Sequence, residues 1–418
     1  MRGVLIVGSF AALTLMGCGH AAVCPPAAKT APIASSTETD RFGASTTFRV
    51  DKAALRAGGM TAKQMTRLEA SAFRYSRMLA GQFEARTCWS FRDVRWHLPV
   101  VAVHGDAHLE QFVVTNNTFG VEDFDKAGYG PAVVDLVRYS ASIELACREA
   151  TFPCDPKKAV DRYFTEYRAS LDKMPDRSHP PTVVERMRRK APQRRAAWLD
   201  WVDAQMGPLT PEHEALARKG WKTFADLQIA VVPDRSAEFY EIARVGELRM
   251  GVGSALERKI LVRIRGPSND PNDDVVLEAR AGEAPGASGC VWRPAHGSSL
   301  HVLTFMALLG PRMPEVFGYV DLTDKPDERP FWVQAWHPGY VELTLDDIHS
   351  QDELEELAVD AARQLAGHFW TRFVDPLRGY QRYAQLRAFD TTRERAVALS
   401  SELAREVIVE WDRFRKTP

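Results

Sequence analysis

The chain has 418 residues, with 54 Lys and Arg against 55 Asp and Glu and a net charge of −1. That balance excludes a polyanion-binding role carried by bulk charge, so no nucleic-acid partner is expected. Six cysteines without a CxxC pair exclude the common structural zinc spacings.

Arg2 gives the N-terminus a positive start, Val4 to Met16 form an apolar run, and Leu15-Met16-Gly17-Cys18 reads as a lipobox. The run is too short to span a bilayer. The pattern predicts a signal peptide over residues 1–17 and a diacylated Cys18 at the head of the mature chain; ordinary secretory cleavage is the alternative. Gly19, where an inner-membrane retention signal has Asp, points to the periplasmic face of the outer membrane. Residues 18–45, rich in Pro, Ala, Ser and Thr, read as a tether above the membrane, which is the expected partner surface. About 370 residues remain for folding.

Apolar periodicity predicts a helix over Ala62–Phe83, and Val100–Val103 reads as a short strand. Phe112–Val114 and Phe119–Val121 flank the turn Thr115-Asn116-Asn117-Thr118 as a hairpin. Asp135–Cys147 and most of Ala159–Leu227 are predicted helical, with breaks at prolines. The basic run Glu185–Arg195 reads as a solvated helix face, with phosphate or anionic headgroups as the sharper alternative. Cys147 and Cys154, seven residues apart across a helix end, are the best disulfide pair for an oxidising compartment; two small buried residues are the alternative.

Three strands follow at Glu241–Met250, Leu256–Arg265 and Val275–Ala281, the second placing Ile260, Val262 and Ile264 on one face. A helix over Ser298–Leu309, a hairpin of Val316–Tyr319 with Phe331–Trp336, and helices over Asp352–Phe373 and Thr392–Phe414 complete the pattern.

The densest chemistry lies between His104 and Asp135, which hold two His and four Asp. Carboxylates at this density need a cation or a proton to balance them. In an extended segment His104, Asp106 and His108 would point one way, and Asp123 and Asp125 likewise. Side by side the two segments would offer up to five ligands, suited to Mg²⁺ or Mn²⁺ through the carboxylates or to Zn²⁺ through the histidines. Asp135 is expected to cap its helix or brace the loop above it. Gly251-Val252-Gly253-Ser254, between two strands, would let backbone amides approach a phosphate, or serve simply as a turn. Arg280 would reach the same phosphates as a fixed cation, an exposed strand arginine being the plainer reading.

His104-Gly105-Asp106-Ala107-His108, Asp123-Phe124-Asp125 and Gly130-Pro131 leading to Asp135-Leu136 resemble the bacterial family called domain of unknown function 2252. So do Ser71-Ala72-Phe73 with Arg77, the Gly251–Ser254 turn, Phe331-Trp332-Val333-Gln334 and Leu365-Ala366-Gly367-His368, so that the likeness extends over about residues 45 to 415. That family is similar to the protein-kinase and aminoglycoside-phosphotransferase superfold with its parts permuted. The resemblance implies an α+β, two-lobe fold: a small antiparallel sheet lobe at 236–340, and a larger helical lobe built from 46–235 and 341–418. It makes Asp106 the base or positioner for a substrate hydroxyl; His104 and His108 are further catalytic candidates, as they would be in a metal-dependent hydrolase. Asp123 becomes the principal Mg²⁺ ligand, with Asp125 and Gln111 beside it. Gly251, Gly253, Ser254 and Arg280 would hold the phosphates of ATP or another nucleotide, and Asp135 would brace the loop. Gln111 stands where the family has Asn, Arg280 where it has Lys, and Ser298–Leu309 holds no Glu to pair with Arg280. Three readings follow: a metal-dependent phosphotransferase in the envelope, a non-catalytic module binding a small molecule or envelope partner, and a metal-dependent hydrolase.

Overall fold

Ser71 interrupts the long N-terminal helix that periodicity predicts. In the computed structural model, which describes residues 47–57, 60–192, 194–232, 234–248, 259–281, 286–294, 299–309, 316–320, 331–372 and 377–417, a short helix α1 (Lys52–Ala57) precedes α2 (Ala62–Ala70). Thr61 and Gln64 form a capping box at the start of α2. The Ser71 backbone is extended and its hydroxyl accepts the Arg74 amide, starting α3 (Ala72–Ser76) afresh. The break is fixed from outside: Glu149 accepts the Ser71 hydroxyl at 2.6 Å and the Phe73 amide at 2.9 Å. A 3-10 turn, Arg77–Leu79, then leads into α4 (Ala80–Ser90).

Strand β1 (Val100–Val103) enters the His104 loop; β2 (Phe112–Val114) and β3 (Phe119–Val121) form the expected hairpin, with Phe112 opposite Val121. Strand β4 (Gly128–Pro131) returns antiparallel to β1 and feeds α5 (Val133–Glu149). Then come α6 (Pro156–Asp172), α7 (Thr182–Arg188), α8 (Arg195–Gln205), the two-residue β5 (Met206–Gly207) and α9 (Pro211–Val231). Pro156 at the first turn and the Asp155 side chain accepting the Lys158 amide start α6.

The sheet region holds β6 (Ile242–Leu248), β7 (Lys259–Ile264), β8 (Val275–Ala281), β9 (Gly286–Ser288), β10 (Val291–Arg293), α10 (Ser299–Leu309), β11 (Phe317–Val320) and β12 (Phe331–Trp336). Strand β13 (Val341–Glu342), α11 (Gln351–Arg372) and α12 (Leu377–Lys416) close the chain. Helix α12 has 40 residues and starts well before the predicted Thr392. Its early residues lack a clear apolar stripe, which is why periodicity misses them. No described helix is long and apolar enough to cross a membrane.

The fold is α+β and predominantly helical, with three antiparallel sheets among the described residues: β11-β12-β8-β7-β6-β5, β1-β4-β10-β9 and β13-β2-β3. The largest core joins α2–α6, α11 and α12, where Tyr139 stacks on Tyr163 at 4.8 Å and Tyr167 on Phe389 at 5.6 Å. Cys147 and Cys154 are disulfide-bonded across the α5–α6 link. The six-stranded sheet splits its residues by the two-residue period of a strand. Ile260, Val262 and Ile264, with Leu277 and Ala279, pack under Trp221 and Phe224 of α9. The opposite face carries Leu261 and Val276 against Trp198 and Val202 of α8. Lys259, Glu278 and Arg280 fall on that same second face by alternation, where apolar cover is incomplete.

The basic run is not a free solvated face. Arg186 pairs with Glu353 at 2.7 Å and Lys190 with Asp347, tying α7 to the start of α11. Between β12 and β13 the chain turns at Gly339, whose φ of +76° and closeness to Asn116 leave no room for a side chain.

Candidate functional site

Two turns, not two extended segments, carry the predicted site residues. Gly105 has φ +80°, and a Cβ there would lie 2.2 Å from the Lys126 carbonyl oxygen. The backbone therefore reverses inside the His104–His108 motif, and the expected same-side alternation does not occur. Asp123 is left-handed at φ 65°, the one non-glycine among the described residues with positive φ, and Asp125 sits in the 3-10 turn Phe124–Lys126. A side chain in that region is strained, which commonly marks a functional turn.

Asp135, in the first turn of α5, accepts the amides of His104 at 2.7 Å and Gly105 at 2.8 Å. Burial pushes its carboxyl above the usual carboxylate range, against the pull of His104 and those two amides. The His104 ring is also consumed by backbone. Its Nδ1 accepts the Asp106 amide at 3.2 Å and its Nε2 lies 2.8 Å from the Glu122 carbonyl. A carbonyl only accepts, so the proton is assigned to Nε2.

Arg138, one turn beyond Asp135 and 1% exposed, donates Nε to Asp106 at 2.9 Å and Nη2 to the Ser76 carbonyl at 3.0 Å. Asp106 is thereby held through Oδ1, while Oδ2 lies 4.0 Å from His108 Nε2. The His108 ring is buried edge-on to Phe73, and neither nitrogen has a hydrogen-bond partner. Burial, then the charges of Arg77 and Arg138, drive its pKa well below the usual histidine value, so it is neutral near pH 7. Arg77 donates to Glu110 at 2.8 Å, and Glu110 also accepts the Leu345 amide at 3.2 Å. Gln111 is buried; its backbone N–H donates to the His108 carbonyl at 3.0 Å and its backbone carbonyl accepts the Glu122 N–H at 2.8 Å.

From the six-stranded sheet, β8 delivers Arg280. Its Nη1 hydrogen-bonds Asp123 Oδ1 and lies 3.3 Å and 3.4 Å from the two oxygens of Asp125. Lys259, directly opposite Arg280 in the β7–β8 register, sits 3.7 Å from Asp125 Oδ2. Glu278 holds the other side of the guanidinium and accepts the Trp336 indole N–H at 2.7 Å. Burial alone would raise the Asp123 carboxyl, but Arg280 and Lys259 outweigh it and hold the group well below the usual range. Burial and the neighbouring cation would lower Lys259 and Arg280, yet the surrounding carboxylates raise both, so both stay charged.

The sequence reading missed four parts of this arrangement. Lys259 was hidden because its strand was read for its apolar face alone. The acidic partner of Arg280, sought in α10, is Glu278, two residues back on the same strand. Arg138 carries a helical signal, three residues after Asp135. A second disulfide, Cys88–Cys290, spans 202 residues and has no local signature. It fixes the β9–β10 turn, whose Arg293 donates to the Lys126 carbonyl at 3.1 Å and pairs with buried Glu84. Gly251, Gly253 and Ser254 lie outside the described residues, as do Cys18 and the tether.

No group of three or more His, Cys, Asp or Glu among the described residues is arranged to hold a metal ion. Asp123 and Asp125 nevertheless share one cation in the form of Arg280 Nη1, a stand-in that marks where positive charge satisfies both. Two carboxylates suit Mg²⁺ or Mn²⁺ completed by phosphate oxygens and water, and do not make a protein-only cage. His104, engaged at both nitrogens, offers no zinc ligand.

Residues 59–197 match the model of a family described as an uncharacterized protein conserved in bacteria, DUF2252. The match contains the His104–Asp135 motif with Arg77 and Arg138, and stops before β6–β8. No curated protein and no solved structure matches the chain.

Proposed function

We propose that the chain is an envelope lipoprotein whose cleft binds a phosphate compound with a divalent cation and transfers phosphoryl to a hydroxyl acceptor. The observation that carries this reading is the meeting of Asp123 and Asp125 with Lys259 and Arg280, brought from segments more than 130 residues apart. In a permuted kinase-like arrangement the sheet region supplies the phosphate cations and the helical region supplies the carboxylates. Asp123 and Asp125 would hold Mg²⁺ or Mn²⁺, which supplies charge neutralisation on the phosphates. Lys259 and Arg280 bind phosphate oxygens, and Glu278 keeps the guanidinium oriented. Asp106, fixed through one oxygen by Arg138, offers the other to the acceptor hydroxyl and takes its proton. Two disulfides are consistent with an oxidising, extracytoplasmic location.

A second reading, a binding module without turnover, is favoured by one observation: the site's own cations already pair with Asp123 and Asp125. The hydrolase reading is weakest, because His104 is held by backbone at both nitrogens.

The test is thermal stabilisation of the full chain by ATP or GTP with Mg²⁺ or Mn²⁺, repeated on Asp123→Ala. Stabilisation that needs both components and disappears in the variant supports the cleft. No response from a folded wild-type chain overturns it. Transfer of label from nucleotide to an acceptor, lost in Asp106→Asn, then separates the enzyme from the binder.

A further inference from the structure

Resting on that reading, we infer that Lys259 and Arg280 are exchangeable counter-ions, so the cleft accepts a divalent cation and a phosphate only together. Lys259 is thereby a phosphate-binding residue of the site.

The inference starts from charge. Three carboxylates (Asp123, Asp125 and Glu278) face two cations (Lys259 and Arg280), all in one cluster. The side chains of Lys259 and Asp125 are each 12% exposed and that of Arg280 is 6% exposed, so solvent screens these three charges poorly, while Asp123, at 33%, is the member that faces solvent. A divalent ion arriving alone at Asp123 and Asp125 meets two fixed cations already in contact with the same oxygens. A phosphate arriving alone at Lys259 and Arg280 meets the two carboxylates. A metal carried in on a phosphate compound brings both compensating charges at once: the carboxylates pass to the metal, and the ammonium and guanidinium pass to the phosphate.

The geometry favours Lys259 as the more mobile partner. Arg280 is anchored by Glu278 and lies 5.2 Å above the Trp332 ring. Among the described residues Lys259 pairs with Asp125 at 3.7 Å, on a flexible stem opposite Arg280 in the strand register. By linkage, metal and phosphate must raise each other's affinity by the same factor.

The experiment measures binding by calorimetry to the full chain, with Mn²⁺ alone, pyrophosphate alone and the preformed Mn²⁺–pyrophosphate complex, in wild type and Lys259→Gln. In wild type, the complex is expected to bind at least about tenfold tighter than either component. Lys259→Gln should reverse the balance. Mn²⁺ alone should bind about fivefold tighter because Asp125 is released, and the complex about tenfold weaker. Lys259→Met, which also removes the charge, should show the same pattern if glutamine perturbs the strand. If wild type binds the complex but neither variant changes Mn²⁺ or complex affinity, counter-ion exchange is overturned while the phosphate cleft stands. If wild type binds neither the complex nor a nucleotide with metal, the functional reading fails and the exchange with it.

Discussion

Glu278 holds Arg280 from two residues back on the same strand: Oε2 accepts Nη2 at 2.8 Å and Oε1 lies 2.7 Å from Nε. Both side chains are almost fully buried, and Trp336 closes the carboxylate from a third direction. Arg280 is thus aimed at Asp123 and Asp125 by a residue of its own strand. Glu278→Ala should destabilise the fold by about 3–5 kcal/mol, because it leaves a buried guanidinium with less compensation. Denaturant unfolding checks this, and Glu278→Gln should lose distinctly less.

The amides gathered by Asp135 give a second expectation. Asp135→Ala leaves two buried N–H groups without an acceptor, each worth about 1–3 kcal/mol. Unfolding free energy should fall by at least about 2 kcal/mol. Asp135→Asn keeps one acceptor oxygen and should fall by about half as much. Any ligand response of the cleft should weaken in parallel, since the same loop presents Asp106.

His108 predicts a pH dependence. Its folded pKa is depressed below the unfolded value, so above pH 6.5 both states are neutral and no proton difference exists. As pH falls below 6.5 the unfolded chain takes up a proton first, and stability drops until the folded pKa is reached. The slope from this residue is at most about 1.4 kcal/mol per pH unit. Unfolding measured between pH 7.5 and pH 5 should show that loss in wild type and a shallower one in His108→Asn.

The two disulfides should differ in weight. Chain-entropy scaling gives about 5 kcal/mol for a bond closing 202 residues and about 2 kcal/mol for one closing seven. Paired Cys88→Ala with Cys290→Ala should therefore be much the more destabilising change, by denaturant midpoint. It should also loosen the Lys126 carbonyl through Arg293, seen as faster amide exchange at residues 124–127.

Much of the architecture was legible because its signals are local. Alternation placed Ile260, Val262 and Ile264 on one face, and the Thr115–Thr118 turn defined β2 and β3. The long break at Ser71 was not legible, since it is imposed by Glu149, 78 residues away. Within the site, the sequence singled out Asp106, Asp123, Asp125 and Asp135 by their density, and Arg280 by its place on the third strand and the family resemblance. Their orientation was misread because Gly105 and Asp123 leave the extended region, which a period-two argument presumes. Lys259 and Cys290 become visible only when strands and turns are brought together in space.

The two disulfides nest: the Cys147–Cys154 bond lies wholly inside the span closed by Cys88 and Cys290. An oxidant that joins these four cysteines in order of emergence would link Cys88 to Cys147 and leave Cys154 for Cys290. Cys147 lies much nearer to Cys88 along the chain than Cys290, 202 residues on, so in an oxidising compartment the wrong partner reaches Cys88 first. The native pattern therefore calls for thiol exchange after the sheet region has emerged, and a host lacking disulfide isomerase should accumulate the swapped pair.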